Sequence, residues 1–243
     1  MELFYEPQIS VASNLPFSTT LNKEESWHCA KVLRMRSGDI VLLTNGSGRL
    51  FHGILKSIDP EGCQIQIHEI EIQKPKKYFL HLAVSPIKQM HRFEWFVEKA
   101  TEIGVDRITP LICARTEKVS VRTDRLKKIM IAAMKQSLGA YLPTICEPVD
   151  LISFVKQRHE GQRFFGCCGK AISPLLGTVL LPEISYTVLI GPEGDFSESE
   201  VNAVQKEGFS PISFGTQRLR TETAALAACF TANFVNAMND NGL

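Results

Sequence analysis

No stretch of this 243-residue chain approaches the roughly 20 consecutive apolar residues that a membrane-spanning helix needs. The opening residues, Met1 through Glu6, place acids where a secretory signal carries basic side chains, and no apolar segment follows them. The sequence therefore points away from a membrane partner and towards a cytoplasmic protein. The seven cysteines, at positions 29, 63, 113, 146, 167, 168 and 229, include no C-x-x-C pair, so zinc and dithiol redox sites lose their usual signature. They read as small buried apolar residues, and the adjacent pair Cys167 and Cys168 is given the same core role. No metal is expected. Also missing are the G-x-x-x-x-G-K-[ST] phosphate loop, a G-x-G-x-x-G turn after a strand, the G-x-S-x-G nucleophile elbow and His-Glu zinc spacings. Nucleoside triphosphate hydrolysis, Rossmann dinucleotide binding and serine or zinc hydrolysis are disfavoured together.

What is present is an ordinary globular composition, 44% hydrophobic and 22% charged, with an uneven charge distribution. The formal charge of +1 conceals a basic middle segment, residues 74–137, with 14 basic and 6 acidic side chains. The flanking segments 1–73 and 138–243 carry net charges of −3 and −4. A neutral chain with a basic middle suits contact with a polyanion on one face, although a solvated lysine-rich surface has the same count.

Hydrophobic periodicity divides the chain near residue 73. Residues 39–45, 50–59 and 63–72 read as strands separated by glycine turns, and a helix is expected over about 23–33. This is a small β-barrel or sandwich with one helix. The polar, proline-broken QKPKK at 73–77 marks the boundary, so the domains are 1–72 and 73–243. Beyond it, strand-like runs at 79–85, 107–114, 164–168 and 186–191 alternate with helical ones at 92–103, 124–138 and 151–159, which implies an α/β domain with a largely parallel sheet. Asp124 is the expected cap and Gly139 the expected stop of the second of these helices.

In such sheets ligands gather beyond the carboxyl ends of strands. Two glycine loops occupy that position. The first, LIGPEGDF at 189–196, runs into a capping box formed by Ser197 and Glu200, and its helix is expected to end near Gly208. The second, GTQRLR at 215–220, follows a strand at 211–214 and leads into a helix from about Thr221 to Met238 that is rich in small residues suited to close packing.

Together LIGPEGDFSESE (189–200) and FGTQRLRTETAALAA (214–228) resemble the RsmE family of ribosomal RNA uridine N3-methyltransferases, in the SPOUT superfamily. KATEIGVDRITP (99–110) and HCAKVLRMRSGD (28–39) extend the likeness over essentially the whole chain. The resemblance implies an α/β fold in which a PUA-like β-barrel precedes a SPOUT domain with a C-terminal trefoil knot. It further implies a homodimer that uses S-adenosylmethionine to methylate a uridine of small-subunit 16S ribosomal RNA, with the assembled 30S particle as the expected partner. A related enzyme acting on transfer RNA, or a ribosome-assembly protein that has lost catalysis, shares the same fold. The sequence departs from the family at Asp195, where a second glycine is usual, at Gln217 and Arg218, and at 135–139 (KQSLG), which lacks the customary arginine.

On this resemblance the cofactor would be held by Leu189, Ile190, Gly191, Pro192, Glu193, Gly194, Phe214, Gly215, Leu219, Arg220, Thr221 and Thr223. Helix capping is the competing role for Thr221 and Thr223. Arg220 and Glu193 are the candidate catalytic residues. Arg220 would steady negative charge on the uracil oxygens, with pairing to Glu222 or a phosphate as the alternative. The proton acceptor would be Glu193, Asp195, Glu222 or solvent. Lys88, Arg92, Lys99, Arg115, Lys118 and Arg122 are candidate phosphate contacts in the basic middle, and His28, Lys31, Arg34 and Arg36 form a second grip, where packing beside Trp27 is the alternative for His28.

Overall fold

The computed structural model describes residues 2–9, 14–117, 120–166 and 173–240. Lys118, Cys167 and Cys168 lie outside these described residues. The chain forms two compact units, one of Met1–Pro75 with Ile131–Leu142, the other of Lys76–Met130 with Pro143–Leu243.

In the first unit β1 (Glu2–Tyr5), β2 (Phe17–Thr20), β3 (Ile40–Thr44), β4 (Arg49–Ser57) and β5 (Gln64–Ile72) make a mixed sheet of order β1-β3-β4-β5-β2 among the described residues. β3, β4 and β5 form antiparallel hairpins, and their alternating inward residues, Val41, Leu43, Phe51, Leu55, Ile65 and Ile67, are buried together. The expected single helix is two pieces. α1 (Lys23–Trp27) is capped by Asn22, whose side chain accepts the Glu25 N–H, and the chain then widens into a π turn over His28–Val32. Arg34 closes that turn at φ +52°, so the chain leaves the helical path there.

Residues 131–142 pack with this unit although the hydrophobic pattern joins them to the segment before. The reason is local and polar. Lys135 reaches both carboxylate oxygens of the buried Glu25 at 2.6 and 2.7 Å. Thr44 and Gly48 both donate to the carbonyl of Ala140, and the Ala140 N–H donates to Gln73. Leu138, at φ +55°, takes the left-handed position that ends the helix, one residue before the glycine expected to do so.

In the second unit β6 (Phe79–Val84), β7 (Arg107–Ile112), β8 (Thr144–Ile145), β9 (Val149–Asp150), β10 (Gln162–Gly166), β11 (Ser185–Ile190) and β12 (Ser210–Ile212) form a parallel sheet of order β12-β10-β11-β6-β7-β8, with β9 also on β7. The helices are α2 (Met90–Ile103), α3 (Thr123–Gln136), whose residues from Ile131 on belong to the first unit, α4 (Leu151–Val155), α5 (Leu176–Val179), α6 (Glu198–Lys206) and α7 (Thr221–Asp240). Asp124 lies in the first turn of α3. One core joins Leu111, Leu151, Phe154, Phe165, Leu189, Phe196 and Phe209. α7 lays Ala225, Ala228, Cys229 and Ala232 against the interior, where small side chains let it approach α2 closely. Buried Asn236 fixes its far end by donating to Tyr186 and accepting from the Glu183 N–H. Burial raises the Cys113 and Cys229 thiols to about 12, which makes them inert packing groups. Among the described residues no helix is long and apolar enough to cross a membrane, and no group of three or more His, Cys, Asp or Glu is arranged to hold a metal.

His81 sits at the centre of this sheet, buried, with Nε2 2.7 Å from the Thr109 hydroxyl and its ring edge-on to Phe154. Burial, then the positive charge of Arg107 and the nearby His159, lower its pKa from 6.5 to about 3. An unfolded chain thus binds a proton below pH 6.5 that the folded one refuses, and stability falls as pH drops through that window. The expected slope from this one group is about 1.4 kcal/mol per pH unit. Urea unfolding of the wild type and of His81→Asn between pH 7 and 4 checks it: the variant should lose that slope, and parallel curves would assign the acid sensitivity to other groups.

Candidate active site

The carboxyl ends of β10, β11 and β12 stop side by side, and the chain turns there through both glycine loops. The first loop is fixed from below. Ser197 caps α6, and both halves of its capping box with Glu200 are formed. The same buried carboxylate accepts the Ala114 N–H at 2.7 Å, tying the loop to the segment after β7. From that segment Arg115 donates to the Gly194 carbonyl at 2.7 Å. Asp195 adopts φ +61°, a conformation that glycine enters freely and aspartate tolerates, and its Oδ1 accepts the Phe196 N–H. The turn thus accepts aspartate at this position.

The second loop is held by its start and finish. Ser213 Oγ accepts the Gly215 N–H and donates to the Gly215 carbonyl, with Gly215 itself at φ +129°. Buried Thr221, the first residue of α7, donates its hydroxyl to the Gly191 carbonyl at 3.0 Å. That bond joins the two loops directly.

Between them lies a cavity of about 870 Å³, bounded by Gly166, Ile190 to Glu193, Asp195, Ser213 to Thr221 and Ala224, with Arg92 at its edge. Its size fits a nucleoside-sized ligand. Gly191 makes room for the core Phe196 ring, which a side chain there would meet at 3.1 Å, whereas the open space beside Gly215 suits a ligand laid against backbone. A second, more open cavity of about 920 Å³ adjoins the first, lined by α2 and the start of α7. Arg92, Arg218, Leu219 and Arg220 belong to both walls.

Of the residues expected at the cofactor, Ile190, Gly191, Pro192, Glu193, Phe214, Gly215, Leu219, Arg220 and Thr221 line the first cavity. Leu189 turns into the core beneath it, Gly194 offers its carbonyl to Arg115, and Thr223 faces the second cavity. Glu193 is exposed at the lip, where its carbonyl accepts a long 3.4 Å bond from Arg218. Arg220 is exposed on the wall shared by both cavities and forms no ion pair among the described residues. Glu222 is buried. Its Oε1 lies 3.8 Å from Arg92 Nη1, and its Oε2 has no hydrogen-bond partner among the described residues.

The expected phosphate contacts do not form one cluster. Arg92 belongs to the cavities and Arg115 to the first loop. Lys88 pairs with Glu117, and Lys99 lies between Glu98 and Glu102, while Arg122 is exposed. In the first unit Lys31, Arg34 and Arg36 are exposed beside half-buried His28 and exposed Trp27, around the π turn. Sequence reasoning missed Trp95 on the second cavity. The available signal was its place among His91, Arg92, Glu94 and Glu98, a face of α2 too polar to be buried.

Comparison with known proteins gives consistent relatives. The RNA methyltransferase domain family matches residues 74–233, and the RNA methyltransferase PUA domain matches residues 21–67. The chain is 30% identical over 200 residues to the ribosomal RNA small subunit methyltransferase E of Rickettsia conorii, covering 81% of each protein. Its structure is similar to a "probable rRNA-methyltransferase" of Porphyromonas gingivalis, with TM-score 0.89, 34% identity and coverage of 98% of this chain and 100% of that one. It is also similar to a methyltransferase of Legionella pneumophila in complex with the bound cofactor SAM, with TM-score 0.86, 27% identity and coverage of 96% and 97%. The chain is accordingly a mixed α/β protein with a PUA-like N-terminal domain.

The bond between the loops is open to a direct test. Thr221→Val keeps the shape but strands the Gly191 carbonyl, a loss of about 1 kcal/mol or somewhat more. Because that carbonyl sits on the cavity wall, calorimetry should show S-adenosylmethionine binding weakened by roughly 5- to 10-fold. Unchanged affinity would show that the loops hold their positions without it.

Proposed function

This chain belongs to the RNA methyltransferase family, and from that premise we propose that it transfers the methyl group of S-adenosylmethionine to N3 of a uridine in small-subunit (16S) ribosomal RNA. The observation that carries the reading is the pair of adjoining cavities with one shared arginine wall. One is cradled by glycine loops and sized for the donor, and the other is open to a large substrate. The relatives' names, and the SAM held by the Legionella protein, support the same assignment.

When bound, S-adenosylmethionine supplies an electrophilic methyl group. The protein's part is to position and to place charge. Gly215 leaves room for the ligand against backbone, Ile190, Phe214 and Leu219 offer apolar surface, and Thr221 keeps the two loops in register. Arg220, on the wall shared by both cavities, opposes the negative charge that uracil oxygens gain as N3 loses its proton. Glu193, at the lip, is a candidate acceptor of that proton, as are Asp195 and Glu222.

The same reading extends to architecture. Residues 1–72 act as a PUA-like barrel that grips RNA through Lys31, Arg34 and Arg36, and residues 73–243 as a SPOUT domain whose C-terminal loops are knotted. The parallel order β12-β10-β11 and the Thr221 to Gly191 bond support the latter. Phe230, Phe234 and Met238 form an exposed apolar stripe along α7, with the two phenyl rings stacked at 6.0 Å, and this supports a homodimer. The setting is cytoplasmic and the physical substrate the 30S particle.

Incubating unmodified 30S subunits with the protein and labelled S-adenosylmethionine, then mapping the label, should place it on N3 of a single uridine. Label on another base or on transfer RNA alone would overturn the assignment. Arg220→Ala should lower the rate about 100-fold or more even at saturating S-adenosylmethionine. Replacing Lys31, Arg34 and Arg36 together by glutamine should weaken RNA binding and lower the salt slope by about 0.7 to 0.9 for each phosphate that these cations neutralise. An unaltered slope would remove that surface from the interface.

A further inference from the structure

Resting on the methyltransferase reading, we propose that the second cavity is the seat of the target base, in which Trp95 stacks on the ring, and Arg92, Glu222 and Arg220 read the edge of uracil, with Glu222 taking the N3 proton. Trp95 is 47% exposed on the cavity wall, whereas Phe93, Phe96 and Val97 beside it on α2 are buried. An indole left open beside cationic side chains is a stacking platform for any base, so it supplies affinity without choosing among bases.

The choice comes from the edge. Uracil presents a carbonyl, an N–H and a carbonyl in a row, and its complement is a donor, an acceptor and a donor. The cavity offers that set: the Glu222 carboxylate, with the guanidinium groups of Arg92 and Arg220 on the same wall. Cytosine, with no hydrogen at N3, would set its ring nitrogen against the carboxylate and lose the match.

Glu222 is built for an incoming partner. It is only 6% exposed, yet Oε2 accepts no bond among the described residues, and Arg92 at 3.8 Å from Oε1 is an attraction without a hydrogen bond. A buried carboxylate oxygen left unpaired in this way calls for a partner, which a base supplies once the side chain turns towards the cavity. Glu193 is exposed and freely hydrated, and Asp195 already accepts the Phe196 N–H.

The proton must leave first, because the forming N3–C bond uses the in-plane direction that the N–H bond occupied. The N3–H bond breaks with its electron pair left on nitrogen, and Glu222 receives the proton. Arg92 and Arg220 hold the resulting anion by its oxygens. The nitrogen pair then bonds the methyl carbon while the carbon–sulfur bond breaks, its pair returning to sulfur, so the sulfonium becomes a thioether. Protonated Glu222 afterwards releases its proton to solvent. Acceptor and methyl donor share that one direction, so the protonated carboxyl of Glu222 must turn aside before the methyl group reaches N3.

Fluorescence of a Trp27→Phe form, in which Trp95 is the sole tryptophan, reads stacking without any turnover. A short uridine oligonucleotide should quench it more strongly and at lower concentration than the cytidine equivalent. Glu222→Gln on that background should erase the preference while the quench remains. In the methylation assay Glu222→Gln should lose about 100-fold or more at neutral pH and recover about tenfold per pH unit as uracil ionises unaided. Trp95→Leu, which leaves Glu222 in place, should weaken oligonucleotide binding about 10-fold in a filter assay, with circular dichroism and donor binding unchanged. Wild-type transfer to uridine N3 combined with a full rate and unaltered pH profile in Glu222→Gln would overturn the proposal and leave the function standing. Transfer by the wild type to another base would overturn both.

Discussion

The carboxylate of Glu200 holds the site together. It accepts from Ser197 on its own helix and from Ala114 on the loop after β7, so one buried side chain fixes both the start of α6 and the floor of the first glycine loop. Arg115, presented by that same loop, then fastens Gly194 from the other side. The second loop has no such anchor beneath it among the described residues and depends on the first, through the hydroxyl of Thr221 on the Gly191 carbonyl. The order of dependence is therefore Glu200, the first loop, Thr221, and finally the arginines that lead into α7. A loop set at the end of parallel strands needs this kind of support, since β12 is only three residues long and contributes few ladder bonds of its own.

Four acids near the centre show how burial and partners divide one chemical type into different roles. Glu200 is buried and fully engaged, so it is structural. Asp195 spends an oxygen on the turn that its own left-handed backbone creates. Glu193 stands at the lip in solvent, where a carboxylate is well hydrated and a poor match for a neighbouring imide. Of the four, Glu222 alone combines burial with an open oxygen.

Much of this is legible in the residue pattern alone. The capping box of Ser197 and Glu200 lies where its residue spacing puts it, and the strands of the first unit follow their period of two. The glycine loops stand at strand ends as the α/β pattern requires. What the sequence hid is geometric. Net positive charge in residues 74–137 says nothing of pairing, and the structure sets some of those cations against Glu94, Glu98, Glu102, Glu117 and the Gly194 carbonyl. Nor does periodicity reveal that residues 131–142 belong with the first unit, because an amphipathic helix pattern is indifferent to which apolar surface receives it.

That exchange of residues between units bears on the missing arginine. At the position where related sequences carry it, this chain turns sharply through Leu138 in a left-handed conformation, with Gly139 donating to the Met134 carbonyl. This segment is anchored by Lys135 on Glu25 and by the Ala140 backbone on Thr44, Gly48 and Gln73. Lys135 is mostly buried in that pair, so its charge is withdrawn from the surface rather than offered to RNA. Lys31, Arg34 and Arg36 stay exposed around the π turn, next to Trp27, so the exposed charge of this helical segment lies there and not at Lys135.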